Sequence, residues 1–259
     1  MNTSNTSDPA SRTRIVVIGA TSAIAEHCCR LWVQQDGPVE LILVARNGPH
    51  AERIADDLRG LSTQAEVSVE TMDFLSAPAI SAAVTRWTAD RPLDTALIAH
   101  GVLSPQQPCQ DDIERTRQSI EVNALSPVLF AEALAGAMGR TGRGTIGMIG
   151  SIAGDRGRRA NYVYGASKAL MDRYAQGLRH RFAGSGVRIV LIKPGPTDTP
   201  MAAPYKAQGR RLAPVDKVAR GTVEAMRRGT AVVYLPWRWK FVMFVARALP
   251  DFLFNRINF

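Results

Sequence analysis

Short apolar runs recur along the chain at 14–18, 39–44, 67–71, 94–99, 145–149, 187–192 and 231–235, and helix-length stretches of mixed polarity separate almost all of them. This alternation predicts parallel strands joined by right-handed helical crossovers. The fold class is therefore α/β: one doubly wound parallel sheet with helices on both faces. No internal repeat or low-complexity linker divides the chain, so residues 14–236 read as a single domain. The Ser/Thr/Asn-rich residues 1–13 read as a disordered lead-in, and residues 237–259 as an amphipathic, aromatic tail.

In open sheets of this kind the functional groups collect beyond the carboxyl ends of the strands. Each run here ends in polar residues or chain breakers. The first is followed by Gly19-Ala20-Thr21-Ser22, the second by Arg46, the third by Asp73-Phe74 and the fourth by His100-Gly101. Gly150-Ser151 follows the fifth run, and Pro194-Gly195 with Thr197 and Thr199 follows the sixth. The opening stretch RIVVIGATSAIAEHC reads as strand, tight turn, helix, which is where a dinucleotide's pyrophosphate meets a helix N-terminus. Gly19 supplies the turn, Thr21 and Ser22 offer hydroxyl donors, and Ala23 and Ile24 open the helix. Ala23 and Ala25 stand where further glycines are usual, so the loop is tighter.

The segment GSIAGDRGRRANYVYGASKA carries the densest chemistry. Tyr164 and Lys168 lie four apart on a predicted helix and so share one face, with Ser151 on the loop leading into it. Tyr162 fails the same test, because Ala166 follows it at that spacing. A free phenol has a pKa of about 10, and a neighbouring ammonium worth roughly 3–4 kcal/mol would bring it into the working range of a general acid or base.

Gly19, Asp73, Asn123, Ser151, Tyr164, Lys168 and Pro194-Gly195 with Thr199 occur in the order and spacing of the short-chain dehydrogenase/reductases. From about Arg14 to Tyr234 the chain resembles that family. The resemblance implies a Rossmann-type fold and a ketone–alcohol oxidoreductase. Tyr164 would protonate the carbonyl oxygen, Ser151 hold it, Lys168 bind the nicotinamide ribose and lower the tyrosine pKa, and Asn123 anchor a water relay. Cofactor contacts would fall on Gly19, Thr21, Ser22, Ala23, Ile24, Arg46, Asp73, Phe74, His100, Gly101, Tyr164, Lys168, Pro194, Gly195, Thr197 and Thr199. His100 departs from the family's Asn-Ala-Gly, and a histidine satisfying backbone groups is favoured over a catalytic one. Ala45-Arg46 removes the carboxylate that would bind ribose hydroxyls and offers a guanidinium for a 2′-phosphate, so NADP(H) is favoured over NAD(H).

Charge and composition change the picture on the substrate side. Formal net charge is +9. No nucleic-acid module accompanies it, so nucleic acid is excluded as a partner. Three cysteines fit neither a disulfide framework nor a metal site and are taken as packing residues, and no secretory signal precedes the domain, which points to the cytoplasm. The loop Asp155-Arg156-Gly157-Arg158-Arg159 could clamp an anion, with Arg158 and Arg159 as substrate contacts. In the tail, Trp237, Phe241, Phe244, Val245, Ala248 and Leu249 can share a face, Lys240 and Arg247 another, and Trp239 a boundary. That pattern suits peripheral attachment to the inner face of an anionic membrane, or packing on the core or a partner subunit. The loop and tail together give a looser similarity to the decaprenylphosphoryl-2-keto-erythro-pentose reductase subgroup, which implies a keto-sugar on a polyprenyl phosphate. Two alternatives stay open: a soluble carbonyl or acyl ketone reductase whose tail packs subunits, and a non-catalytic dinucleotide sensor. The family resemblance also implies a homodimer or homotetramer, through helices around 110–138 and 161–183.

Overall fold

In the computed structural model, which describes residues 12–257, the apolar runs form one seven-stranded sheet. The strands are β1 (Thr13–Ile18), β2 (Val39–Ala45), β3 (Ala65–Thr71), β4 (Thr95–Ile98), β5 (Arg143–Ile149), β6 (Gly186–Pro194) and β7 (Val232–Leu235). Their order across the sheet is β3-β2-β1-β4-β5-β6-β7, and every neighbouring pair is parallel. The helices are α1 (Ala23–Gln35), α2 (Gly48–Leu61), α3 (Ala77–Trp87), α4 (Gln106–Asp111), α5 (Ile113–Ile120), α6 (Ser126–Thr141), α7 (Tyr162–Arg181), α8 (Ala203–Ala207), α9 (Val215–Arg228), α10 (Arg238–Ala248) and α11 (Asp251–Phe254). Thr13 already belongs to β1, and Arg12 pairs with Glu66, so residues 12 and 13 of the expected lead-in are part of the folded domain rather than disordered. The rest of the expected lead-in, residues 1–11, and the last two residues of the tail lie outside the described residues.

Both faces of the sheet are covered, which explains why the central strands read as unbroken apolar runs. Alternate side chains go to opposite sides: Ile15, Val17, Leu41 and Leu43 pack with α1, α2 and α9, while Val16, Ile18, Ile42 and Val44 pack with α3, α6 and α7. Cys28 and Cys29 are buried in the first of these cores, and Cys109 is buried on α4. β1 is flanked by β2 on one side and β4 on the other, so the crossovers leave it in opposite directions and open a crevice at its carboxyl end. The helical run Ile113–Thr141 is long and apolar enough to cross a membrane, yet 56% of its most apolar window is buried. Phe130, Ala131, Leu134 and Met138 spend that apolarity on the core beneath the sheet.

The tail does not stand apart from the domain. Met243 and Ala246 of α10 are buried against Ile152, with Trp239 and Tyr234 packed around them. Trp239 therefore faces inward rather than sitting at a polar boundary, and its indole occupies the space where a side chain on Gly195 would begin. Leu249 falls just beyond α10 as its C-cap, so it does not continue the helical face expected of it.

Candidate active site

The crevice beside β1 brings the first group of expected residues together. Gly19 turns the chain at φ +82°, where a glycine is needed, and its N–H donates to the Val44 carbonyl at 2.8 Å. An added Cβ there would lie 2.6 Å from the His100 backbone nitrogen, so β1 and β4 meet at this residue with no room for a methyl. Ser22 stands at the N-cap of α1 without a side-chain capping bond, which leaves the first-turn N–H groups available for an anion. Thr21, Ser22 and Ala23 are part-exposed there and Ile24 is buried. Arg46 is exposed at the end of β2. Asp73 is exposed and accepts from the Leu75 N–H at 2.9 Å, while Phe74 is buried edge-on to the His100 ring with centroids 4.8 Å apart.

His100 engages a side chain: its Nε2 lies 2.8 Å from the Ser126 hydroxyl. Burial, then the nearby charges of Lys168 and Arg46, push its pKa down to about 3, so the ring is neutral and unsuited to proton transfer near pH 7. Next to it, Gly101 lies where a Cβ would meet Asn123 Oδ1 at 2.8 Å. Asn123 sits in a π-helical turn, Glu121–Leu125, between α5 and α6. Its amide donates to the Ser119 carbonyl at 2.9 Å and its Oδ1 accepts from the Val102 N–H at 2.9 Å, fixing the loop after β4 to the helix. Such single widened turns are frequent at functional sites.

The second group converges across the ends of β5 and α7. Ser151 is extended, and its hydroxyl accepts from the Ala153 N–H at 3.1 Å, capping a short 3-10 turn over Ile152–Asp155. Tyr164 and Lys168 are one turn apart on α7, as the spacing predicts. Their electrostatics differ from expectation. Burial pushes the Tyr164 phenol up to about 12, a hydrogen bond with Ser151 draws it partly back, and Tyr205 adds to the rise. Lys168 does not lower it, because the ammonium donates to the Ile149 carbonyl at 3.1 Å and lies 5.7 Å from the Tyr164 ring centroid. Lys168 is itself pushed down to about 8 by burial, against the pull of Asp172.

This depressed lysine makes stability depend on pH. Unfolded, Lys168 holds its proton up to its ordinary value of 10.5, so between about 8 and 10.5 the unfolded chain binds more protons than the native one. Stability therefore rises with pH across that window. Denaturant unfolding should show the parent gaining about 2–3 kcal/mol relative to Lys168→Met as pH is raised through it. Parallel pH profiles for the two proteins would refute the burial of a titrating ammonium.

On the sixth strand's side, the Gly195 N–H donates to the Leu235 carbonyl at 2.8 Å, and the buried Thr197 hydroxyl donates to the Gly195 carbonyl at 2.9 Å. The Thr199 hydroxyl donates to the Thr197 carbonyl at 3.4 Å, so Pro194 to Thr199 form a closed bend at the site's edge. The basic loop after Ser151 is divided in its work. Asp155 pairs with the buried Lys193 and accepts from the Tyr234 hydroxyl at 2.9 Å, and Arg156 binds the tail, so neither belongs to an anion clamp. Arg158 is part-buried beside Tyr205 and Arg210, and Arg159 is exposed. Tyr205 and Arg210 are absent from the sequence expectations. Tyr205 interacts electrostatically with both Tyr164 and Arg158, and the Arg210 guanidinium lies 5.2 Å from its ring centroid. Nothing local in the PYKAQGRR stretch signals this, since the interaction joins segments some forty residues apart in the chain.

A doubly wound sheet whose strand ends gather a Ser/Tyr/Lys group beside an anion-ready helix terminus defines an oxidoreductase of the dehydrogenase–reductase class. Residues 13–210 match the short-chain dehydrogenase family, and the chain belongs to it. Over 253 residues it is 30% identical to an uncharacterized oxidoreductase of Mycobacterium tuberculosis, covering 94% of this chain and 96% of the relative. An uncharacterized oxidoreductase of Streptomyces coelicolor is 32% identical over 246 residues, with 94% and 95% covered. Among solved structures, a short-chain dehydrogenase from Sphingobium yanoikuyae in complex with NADPH has the same fold, with TM-score 0.79 at 22% identity and 95% and 96% of the two chains covered.

Proposed function

We propose that this protein reduces a ketone to a secondary alcohol at the expense of NADPH. The observation that carries the proposal is the part-buried, protonated Tyr164 hydrogen-bonded with Ser151, one helical turn from Lys168. The crevice residues fit a dinucleotide: the open first turn of α1 suits a pyrophosphate, and Arg46 beside it suits a 2′-phosphate. The NADPH held by the Sphingobium relative supports the same choice.

When bound in the crevice, NADPH would supply a hydride for the carbonyl carbon. The Ser151 and Tyr164 hydroxyls both aim at the carbonyl oxygen and polarise it. As negative charge builds there, Tyr164 gives up its proton to complete the alcohol. Its phenol is protonated across the neutral range, which sets the resting site for reduction rather than oxidation. Lys168, still substantially cationic at pH 7, would hold the nicotinamide ribose one helical turn from Tyr164, and Asn123 fixes the loop after β4 beside them.

For the substrate, we favour a keto-sugar carried on a polyprenyl phosphate. Arg158 and Arg210 gather near Tyr205 at the mouth of the site and would meet a phosphate. The exposed Ile113, Leu125 and Leu170 on the α5–α6 run and α7 support pairing of two copies through these helices.

Steady-state reduction of a polyprenyl-phosphate keto-sugar, and of the sugar lacking the phosphate, tests the proposal with each cofactor in turn. NADPH should outperform NADH, and Arg46→Ala should cost NADPH roughly tenfold to a hundredfold while barely changing NADH. The phosphorylated substrate should be preferred at least tenfold. Equal use of the two cofactors by the parent would remove the role given to Arg46. Equal turnover of the two sugars would leave a general ketone reductase.

A further inference from the structure

The tail helix α10 has two apolar sides where a surface helix has one. At about 100° per residue, Trp239, Met243 and Ala246 fall on one side, and these pack against the domain. Trp237, Phe241, Phe244 and Ala248 fall roughly opposite, and all four are exposed, the two phenylalanines by 68% and 63% and Trp237 by 79%. A helix docked on a soluble domain ordinarily presents polar residues to water at that position. Phe252, Leu253 and Ile257 of the following turn extend the exposed apolar surface.

Charge decides what covers it. Lys240 and Arg247 flank the outward apolar ridge on one side and Arg238 on the other, and Arg256 follows in the next turn. Asp251 is the single acidic residue of residues 237–257, and it is engaged with Arg156 at 2.7 Å. Two copies meeting through this face would set four cations of one against four of the other, which disfavours a subunit contact. An apolar, aromatic ridge between rows of basic side chains matches the boundary between acyl chains and anionic headgroups. At 11 residues α10 is far too short to span a bilayer, so it lies in the plane of the surface.

The tail is also tied to the site. The Arg156 guanidinium binds the carbonyls of Ala246 and Leu249 and the Asp251 carboxylate, and lies 3.9 Å from the Phe254 ring centroid. Arg156 is five residues beyond Ser151, Ile152 packs on Met243 and Ala246, and Trp239 packs on Gly195. Docking through the tail would therefore hold the carboxyl edge of the sheet at the surface.

From these observations we infer that residues 237–257 are an in-plane anchor that seats the protein on an anionic lipid bilayer. The inference stands apart from the reductase reading, since binding needs no turnover.

Flotation of the full chain with vesicles of phosphatidylcholine and phosphatidylglycerol, against vesicles of phosphatidylcholine alone, tests it. The parent should float with the anionic vesicles at low salt and be released at high salt. Trp237→Ser/Phe241→Ser/Phe244→Ser changes only exposed side chains and should lose most of the binding while keeping its circular dichroism and melting temperature. Arg238→Gln/Lys240→Gln should weaken anionic binding roughly thirtyfold, at about 1 kcal/mol per cation. A parent that stays unbound at low salt overturns the inference, as does a triple variant that floats like the parent. So does a triple variant that dissociates a parent oligomer in sedimentation, because the face would then be a subunit contact.

Discussion

Tyr164→Phe is expected to lower turnover roughly a thousandfold while leaving cofactor affinity within a fewfold of the parent. The substitution keeps the ring and removes one oxygen, so the packing of α7 against the Ser151 loop is preserved. What disappears is the proton donor, and positioned proton transfer is worth about 10²–10⁴ in rate. The loss should appear in kcat and in kcat/KM alike, because the hydroxyl acts on the transition state more than on bound substrate. The variant should also change the alkaline limb of stability. Tyr164 ionises near 10 when unfolded but is held up to about 12 in the native state, so its contribution is fully present below pH 10 and is lost as pH rises toward 12. Phenylalanine has no such limb. Steady-state kinetics, calorimetric titration of NADPH and melting curves above pH 10 check the three expectations. A variant that keeps most of its turnover would remove Tyr164 as the acid and return the dinucleotide sensor as the better account.

The sheet was legible because both of its faces are buried: a strand segment that must satisfy two cores is an unbroken apolar run, and its ends are marked where the chain meets water. Leu41–Val44 of β2 is such a run, with Leu41, Leu43 and Ile42, Val44 going to opposite cores. The Tyr164/Lys168 pair was legible for an equally local reason, helical spacing. Contacts between distant segments left no such mark. Tyr205, on α8, acts electrostatically on Tyr164 and Arg158 across some forty residues of chain. Arg156 looks like its neighbours Arg158 and Arg159 in a basic run, and only the folded tail separates its work from theirs.

The pKa expectation failed for a related physical reason. Spacing places an ammonium one turn from a phenol, but it cannot report that the Ile149 carbonyl draws the ammonium away or that burial penalises both charged forms. Desolvation outweighs the unlike-charge attraction at 5.7 Å from the ring centroid. The tail was half legible. Its aromatic and basic positions were visible, whereas the inward turn of Trp239 onto Gly195 required the fold.

Gly19→Ala should remove both stability and dinucleotide binding, and a second glycine separates the causes. At φ +82° an alanine is strained by about 1–2 kcal/mol wherever it occurs. Here its methyl would also stand 2.6 Å from the backbone nitrogen and Cβ of His100, atoms that cannot rotate away, so the ends of β1 and β4 must separate. The combined cost is about 3 kcal/mol or more, which lowers Tm by roughly 5–10 °C in a domain of this size. Spreading these strands moves the turn away from the N-terminus of α1, so NADPH affinity should fall at least tenfold. Gly37 provides the comparison: its φ is +72°, nothing lies within 4 Å of an added Cβ, and it is remote from the crevice. Gly37→Ala should cost only the 1–2 kcal/mol of backbone strain and leave NADPH titration unchanged. Thermal melts and calorimetric titrations of the two variants then isolate the contact between Gly19 and His100. Indistinguishable behaviour of the two would mean that the meeting of β1 and β4 does not shape the cofactor site.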